Sequence, residues 1–405
     1  MKKKRVFLLI GVIIIAFVAV FLVFWQMNKR QMNVELLPPS HDHTTWVLNT
    51  SSAYEALAVL NMLSGDPLAE SIYSEDISSF EDKQTSEASK SIANIKAWKE
   101  QTGMMVTGVP TSYFSAIDPK SIDDLLKYSN DPELIKNILI ENDESHSWAM
   151  PYYWTGDWKN FIDLLPDLKV ALEWLRDIGF EEEWAMQYKP LLEQQAESLE
   201  LELRDYNVIK TVEEHIGFSL PSDEISITLS YYWKPRGTHL FGTRFVTETA
   251  SLEPEYFVRT AVHEMMHPPF NRWDGRARDA ILPAIEQNSF LMNYFNHREM
   301  KYGYNDVDYW VDENMIRALE QYISEKLGVA NVLSDRWGKY EDGGMHSIAP
   351  VVYMLLRQEK FPSKDASFES FIISMINEGY FSEIESQELY SDFFTNTPEP
   401  LDISL

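Results

Sequence analysis

The chain has 405 residues, a net charge of −28 at pH 7 and no cysteine. The absence of cysteine excludes disulfides, thiolate metal ligands and a cysteine nucleophile, so any zinc site must use histidine and carboxylate ligands. The negative charge repels phosphate backbones, and no basic stripe follows the N-terminal segment, so we expect no nucleic-acid partner. Apolar residues make up 45% of the chain, which supports a large core and two or three structural units.

The N-terminal residues predict a membrane anchor. The apolar run Val6–Trp25 is long enough to cross a bilayer core of about 30 Å at about 1.5 Å per residue. Basic residues are more numerous in the tail 1–5 than at positions 29–30, so the positive-inside rule leaves the tail in the cytoplasm. A cleaved signal peptide is the alternative, but the run is longer than a usual signal core. We therefore expect an anchor over 6–26 in a single-pass cell-membrane protein whose remaining residues are extracytoplasmic.

Beyond the anchor, composition and apolar periodicity divide the chain into four parts. Residues 27–50, which contain Pro38-Pro39, predict a linker in which His41 and His43 are solvated rather than metal ligands. The remaining parts are a helical subdomain over 51–220, a core region over 221–330 that contains the motif described below, and a C-terminal helical region over 331–405. Apolar residues recur with helical spacing at 53–63, 132–141, 159–178, 190–216, Val351–Leu356 and Phe368–Ile376.

Two β-rich runs precede the most informative motif. Ile225–Tyr232 alternates large apolar residues with serine and threonine, which is typical of a strand. The segment Lys234–Gly237 then predicts a turn, and Thr238–Thr247 predicts further strand. We expect these two runs to form a hairpin that leads directly into the next helix.

The sequence His263-Glu264-x-x-His267 lies in that helix and is the motif here that best indicates a chemistry. Residues four apart lie on one face of an α-helix, so both imidazoles can bind one metal ion while Glu264 reaches a water molecule beside it. At about 100° per residue, the apolar stripe falls opposite the histidines and is expected to pack inward. That stripe consists of Val258, Ala261, Val262, Met265 and Met266.

The ends of the motif helix are also marked in the sequence. Ser251 is the predicted N-cap, and Pro254 is acceptable in the first turn. Pro268-Pro269 is expected to end the helix directly after His267. The motif would then stand at the end of its helix, on the floor of a cleft.

A catalytic zinc usually has three protein ligands and one open position, so a third ligand is expected downstream. Glu286 follows His267 after a gap of 18 residues, which resembles the spacing in the aminopeptidase branch of the glutamate-zincins. Glu313 borders the apolar face of an amphipathic helix beside Trp310 and Ile316, where a partly buried carboxylate would need a partner such as zinc. Spacing favours Glu286, whereas local sequence favours Glu313.

Residues 239–325 resemble a poorly characterised group of bacterial membrane-anchored or secreted zinc metallopeptidases of the glutamate-zincin type. The first motif of that group also runs Val-His-Glu-x-x-His, and its second is similar to the Glu-Asn-x-x-Arg-Ala that begins at Glu313. Tyr54–Leu60 is similar to the group's opening helix. The resemblance favours Glu313 over Glu286, which lacks the Asn-Glu pair of the aminopeptidase motif. Pro268-Pro269 departs from the group, which more often has small residues there.

The resemblance implies an α+β, mainly helical zincin-like fold with a small sheet or hairpin before the motif helix, preceded by the membrane helix. It also implies bound Zn²⁺ and a peptide or protein substrate. Glu264 would be the general base acting on a zinc-activated water, and not a ligand. The candidate donors to the developing oxyanion are His346, Tyr340 and Arg317. His346 is favoured among them because it stands in a glycine-containing loop before an apolar helix.

Three functions are consistent with these observations. The first is a membrane-anchored, extracytoplasmic zinc peptidase. The second is an inactive or metal-free derivative that binds a polypeptide in the same cleft, and the third is a zinc hydrolase that acts on a non-peptide amide. The intact His263, Glu264 and His267 favour the peptidase, since an inactive copy would lose Glu264 early.

Overall fold

The computed structural model describes residues 40–146, 156–217, 219–234, 237–249, 253–271, 276–298, 306–333, 336–337, 345–362 and 367–396. The predicted anchor, the N-cap Ser251, Tyr340 and residues 397–405 lie outside this part of the chain. Within it, no helix is both long enough and apolar enough to span a membrane.

Helices form most of the described chain and accompany one small mixed sheet, which confirms the predicted α+β, mainly helical class. The helices before the main strands are α1 (Ser52–Leu63), α2 (Pro67–Ile72), α3 (Ser74–Asp82), α4 (Ser86–Thr102), α5 (Val109–Ser115), α6 (Ile122–Ser129), α7 (Pro132–His146), α8 (Gly156–Asp177), α9 (Phe180–Gln187), α10 (Lys189–Leu203) and α11 (Val208–Ile216). Those that follow are α12 (Pro254–Asn271), α13 (Arg276–Glu286), α14 (Ser289–Asn296), α15 (Val307–Lys326), α16 (Ile348–Gln358), α17 (Phe368–Asn377) and α18 (Glu383–Thr395).

The sheet has four strands in the order β1-β2-β4-β3, namely β1 (Thr45–Thr50), β2 (Glu224–Ser230), β3 (Gly237–Leu240) and β4 (Arg244–Glu248). Strand β1 lies in the predicted linker 27–50, so that interpretation was wrong for its last residues. The reason is a parallel pairing with β2, in which Thr45 faces Glu224. The pairing joins segments that are far apart in the sequence, so no local sequence pattern predicts it.

The predicted pairing of the two β-rich runs was also wrong. Strand β2 pairs with β4 in parallel, and the antiparallel hairpin is formed by β3 and β4 within the second run. Gly242, whose φ is +78°, provides the left-handed residue of that turn. This topology makes β3 an edge strand beside the motif helix α12.

Three local predictions need correction. The segment 190–216 is two helices, α10 and α11, because the polar residues around Asn207 interrupt it and Asn207 bonds to Asp42 O at 2.6 Å. Helix α12 continues past His267 to Asn271 through both prolines, whose fixed φ near −65° is compatible with helical backbone. His41 is not a solvated linker residue, since its Nδ1 lies 2.7 Å from Oε1 of the buried Glu213.

The core places three helices around the candidate site. Helix α12 packs on α15, and α15 packs on α16. Both α12 and α15 bury apolar faces in a hydrophobic cluster that also contains residues of α1 and the sheet. Because two packed helices fix their backbones to within side-chain contact, polar residues on their facing sides are held at defined distances.

Candidate metal centre

Helix α12 packs its apolar side into the core, so the opposite side, which bears the two histidines, faces the candidate site. The five residues of the predicted stripe are at most 1% exposed, which confirms the helical register. The rings of His263 and His267 have centroids 4.9 Å apart, and their Nε2 atoms are separated by 3.2 Å. Both nitrogens therefore point at the same small volume.

Helix α15 contributes a carboxylate to that volume. Glu313 Oε1 lies 3.7 Å from His263 Nε2, and one donor atom from each of His263, His267 and Glu313 lies within 4.8 Å of the others. Ligand atoms about 2.1 Å from a tetrahedral ion are roughly 3.4 Å apart, so the measured separations suit a metal ion. Glu286, the alternative third ligand, is exposed at the end of α13 and is not part of this group.

Glu264 lies beside the three donors without being one of them. It is 5% exposed, and its Oε2 lies 3.8 Å from His267 Nε2. Within the described residues that oxygen has no hydrogen-bond partner. Burial raises the pKa of Glu264 to about 7, an effect that His263 opposes and Glu313 reinforces. A carboxyl group with a pKa near neutrality can both accept and release a proton.

A second carboxylate stands behind His263, and sequence reasoning missed it. Glu320 Oε2 lies 3.2 Å from His263 Nδ1, while Arg336 Nη2 donates to Glu320 Oε1 at 2.6 Å. Burial alone would raise the pKa of Glu320, but Arg336 and the bond to His263 lower it to about 2. The ionised Glu320 therefore holds the proton of His263 on Nδ1 and leaves Nε2 free to bind a metal.

The sequence did contain a signal for Glu320. It follows Glu313 by seven residues, which is two helical turns, and Arg317 lies between them on the same face of α15. Glu313, Arg317 and Glu320 therefore lie along one face of helix α15. Arg336, which comes from outside the helix, has no such periodic signal.

Arg317 forms ion pairs with two carboxylates of the same helix. Its Nε donates to Glu313 Oε1 at 2.7 Å, and its Nη1 donates to Glu320 Oε2 at 3.3 Å. Burial acts to raise the pKa of Glu313, but Arg317 and the histidines of the site hold it far below its usual value. Arg317 thus keeps Glu313 ionised, and its place among the three candidate oxyanion donors stays a prediction.

His346 lies near the same carboxylate. It is 6% exposed, and it is the last of the neighbours that lower the pKa of Glu313, after Arg317, His263 and His267. Its segment is held by Trp310, whose Nε1 donates to Met345 O at 2.6 Å. Asn314 Oδ1 accepts the first N–H groups of α16, from Ile348 at 2.9 Å and Ala349 at 3.0 Å. These bonds fix His346 beside the site, and its predicted role as a donor stays a prediction.

A third histidine near the centre was not predicted. His239 on β3 is 7% exposed, and its ring centroid lies 6.3 Å from that of His267. Its Nδ1 has no hydrogen-bond partner among the described residues. Burial, followed by the neighbouring His267, lowers the pKa of His239 well below its usual value. It is outside the three-donor group, so it is a neutral neighbour of that group and not a member.

Strand β3 approaches α12 closely at Gly237. A Cβ atom built on this glycine would lie 3.2 Å from Glu264 Oε1 and 3.2 Å from Thr260 Cγ2. Alternate residues of a strand share a face, so Gly237 passes over Glu264 and His239 lies beside His267. The edge strand therefore runs along the candidate metal centre.

Comparison with protein-family models, curated proteins and solved structures found no match to this chain.

Proposed function

We propose that this protein is a zinc-dependent peptidase, anchored in the cell membrane with its catalytic part outside the cytoplasm. The observation that supports this function is the convergence of His263, His267 and Glu313 donor atoms within 4.8 Å, with the buried Glu264 beside them. Two imidazoles and one carboxylate are a ligand set used by catalytic zinc sites, in which a fourth position stays open. The membrane location rests on the apolar run Val6–Trp25.

Zinc bound by these three residues would polarise a substrate carbonyl and lower the pKa of a water molecule to about 7. The protein's own residues then have distinct tasks. Glu264 accepts the proton of the attacking water and passes it to the leaving amine, for which its raised pKa is suited. Glu320 orients His263, and Arg317 keeps Glu313 ionised.

The position of β3 supports a peptide as the substrate. An extended peptide can add to an exposed sheet edge through main-chain hydrogen bonds. Strand β3 is an edge strand, and at Gly237 it passes within side-chain distance of Glu264. A peptide bound beside that position would bring a main-chain amide close to the general base.

The test is the zinc content and peptidase activity of the full-length protein purified in detergent. We expect about one zinc per chain, loss of zinc in His263→Ala, and cleavage of peptides in a mixed library. Glu264→Gln should retain zinc and lose cleavage. Zinc without cleavage of any peptide would favour the binding protein, and absence of zinc from the wild type after reconstitution would refute the metal centre.

A further inference from the structure

Part of the β3 edge is already occupied by the protein itself. Ser112 Oγ on α5 donates to the carbonyl oxygen of His239 at 3.2 Å. The N–H of Phe241, just after β3, donates to Ser115 Oγ at 2.7 Å. These main-chain groups are the ones that an added peptide strand would need. The serines of α5 therefore take the place of a substrate along this half of the edge.

Helix α5 is fixed firmly in that position. Arg244 on β4 donates to Ser115 O at 2.6 Å and to Phe241 O at 2.8 Å, and its Nη1 lies 2.8 Å from Asp118 Oδ1. Moving α5 would break the bond from Arg244 to Ser115 O together with the bonds of Ser112 and Ser115 to the β3 segment. The helix also buries the side chains of Thr111, Tyr113 and Phe114, which are fully inaccessible. Displacement by a peptide would expose that surface to water at a substantial cost in free energy.

The part of the β3 edge that α5 covers begins close to Glu264, the proposed general base. Gly237 lies against Glu264, and His239, whose carbonyl is already bonded, is two residues further along the strand. At about 3.3 Å per residue, these two positions are roughly 7 Å apart. A peptide aligned with β3 therefore meets α5 within about two residues of the point where Glu264 would act.

We propose that the enzyme is an exopeptidase whose substrates are peptides with a free end, cleaved within one or two residues of that end. The short terminal part of the substrate faces α5, and the longer part leaves past the Gly237 end of β3. This inference rests on the proposed peptidase function and specifies its substrate class. It identifies α5, with Ser112 and Ser115, as the structural element that limits the length bound on one side.

The test compares one linear peptide, long enough to pass both ends of β3, with its N-acetylated, C-amidated, doubly blocked and backbone-cyclised forms. We expect cleavage of the linear form near one end, a decrease in kcat/KM on the order of 100-fold when that end is blocked, and no cleavage of the cyclic form. Mass spectrometry of the products identifies the end. Internal cleavage of the cyclic or doubly blocked peptide would overturn the inference while leaving the peptidase function intact, and no cleavage of any form would refute both.

Hydrogen exchange gives a readout independent of turnover. In Glu264→Gln, the amide of Phe241 should stay protected when the linear peptide binds, because Ser115 continues to accept its hydrogen bond. Ser115→Ala should increase exchange at Phe241, whereas Ser129→Ala, which removes a buried serine on α6, should not. If bound peptide changed the exchange at Phe241 as Ser115→Ala does, α5 would be displaced by substrate and the proposed length limit would be wrong.

Discussion

Two buried glutamates, Glu55 and Glu264, differ in how their carboxylate oxygens are satisfied by hydrogen bonds. Burial raises the pKa of both. Glu55 on α1 is fully buried and accepts four hydrogen bonds, from Trp184 Nε1, Ser230 Oγ and the N–H groups of Tyr231 and Tyr232 at 2.6–3.2 Å. Glu264 Oε2 has no hydrogen-bond partner in the described part of the chain.

This difference in hydrogen bonding indicates a different role for each carboxylate. Four donors satisfy Glu55 and tie α1 and α9 to the end of β2, so that carboxylate stabilises the fold. A buried oxygen left without a partner costs about 1–3 kcal/mol, and such a group calls for a functional explanation. Glu264 is therefore expected to contribute to chemistry, and Glu55 to stability.

The largest expected effect is that of Glu264→Gln on turnover. Removal of a general base typically costs about 10²–10⁴-fold in rate, so kcat should decrease by that factor. Zinc content and melting temperature should stay close to those of the wild type, since glutamine has nearly the same shape. Steady-state kinetics and metal analysis of the same preparation measure both. Unchanged turnover would exclude Glu264 as the base.

Glu55→Ala should behave in the opposite way. Two backbone N–H groups and the Trp184 indole would lose their acceptor, each at about 1–3 kcal/mol, so the free energy of unfolding should decrease by about 4 kcal/mol. Zinc bound per folded chain should not change. Chemical denaturation measures the loss, and Glu55→Gln, which keeps one acceptor oxygen, should lose less. A loss of zinc without loss of stability would contradict the assignment.

Buried histidines extend the comparison to pH. His215 on α11 is buried, and burial lowers its pKa to about 4, whereas carboxylates raise the pKa of His263 against the effect of burial. Because His215 binds its proton less readily in the folded state, folding stability should be lost as pH falls from about 6.5 towards 4, by about 3 kcal/mol. The free energy of unfolding, measured by chemical denaturation at several pH values, should change less with pH in His215→Phe than in the wild type. An unchanged pH dependence would show that His215 is not the group responsible.

Glu320→Ala tests the positioning of His263 within the metal centre. Loss of such an outer carboxylate typically weakens metal affinity by about 10–100-fold. The matched control is Glu325→Ala on the same helix, because Glu325 is also buried but pairs with Tyr353 and Arg357 away from the centre. Both variants should lose stability, and only Glu320→Ala should lose zinc affinity in competition with a chelator. Equal losses of affinity would mean that general destabilisation is the cause.

The smallest effect concerns His239, whose Nδ1 is another buried atom without a hydrogen-bond partner in the described residues. If no water or ligand satisfies it, His239→Leu should increase the free energy of unfolding by about 1 kcal/mol, because an unmet polar group is removed. Thermal denaturation of the zinc-loaded protein is the measurement. A decrease would indicate that the nitrogen has a partner in solution, such as an ordered water.

Local sequence patterns predicted the motif helix and the candidate metal ligands. The period of 3.6 residues set the buried stripe of α12 and the side on which His263 and His267 lie. Glu313 is buried as its apolar neighbours indicated, but the predicted amphipathic character of α15 was wrong, since nearly all of its residues from Trp310 to Glu325 are buried. The mainly helical class also followed from such patterns. These features depend on residues close together in the chain, so they leave a periodic trace in the sequence.

Only the tertiary structure decided which distant segments meet. The parallel pairing of β1 with β2, the contact of Arg336 with Glu320, the place of His239 beside His267 and the cover of β3 by α5 all join residues from separate elements. Such contacts arise from the packing of whole helices and strands, in which no repeat links the partners. The sequence by itself therefore determined the motif face of the centre, and packing determined its supporting groups and the cover of part of the β3 edge by α5.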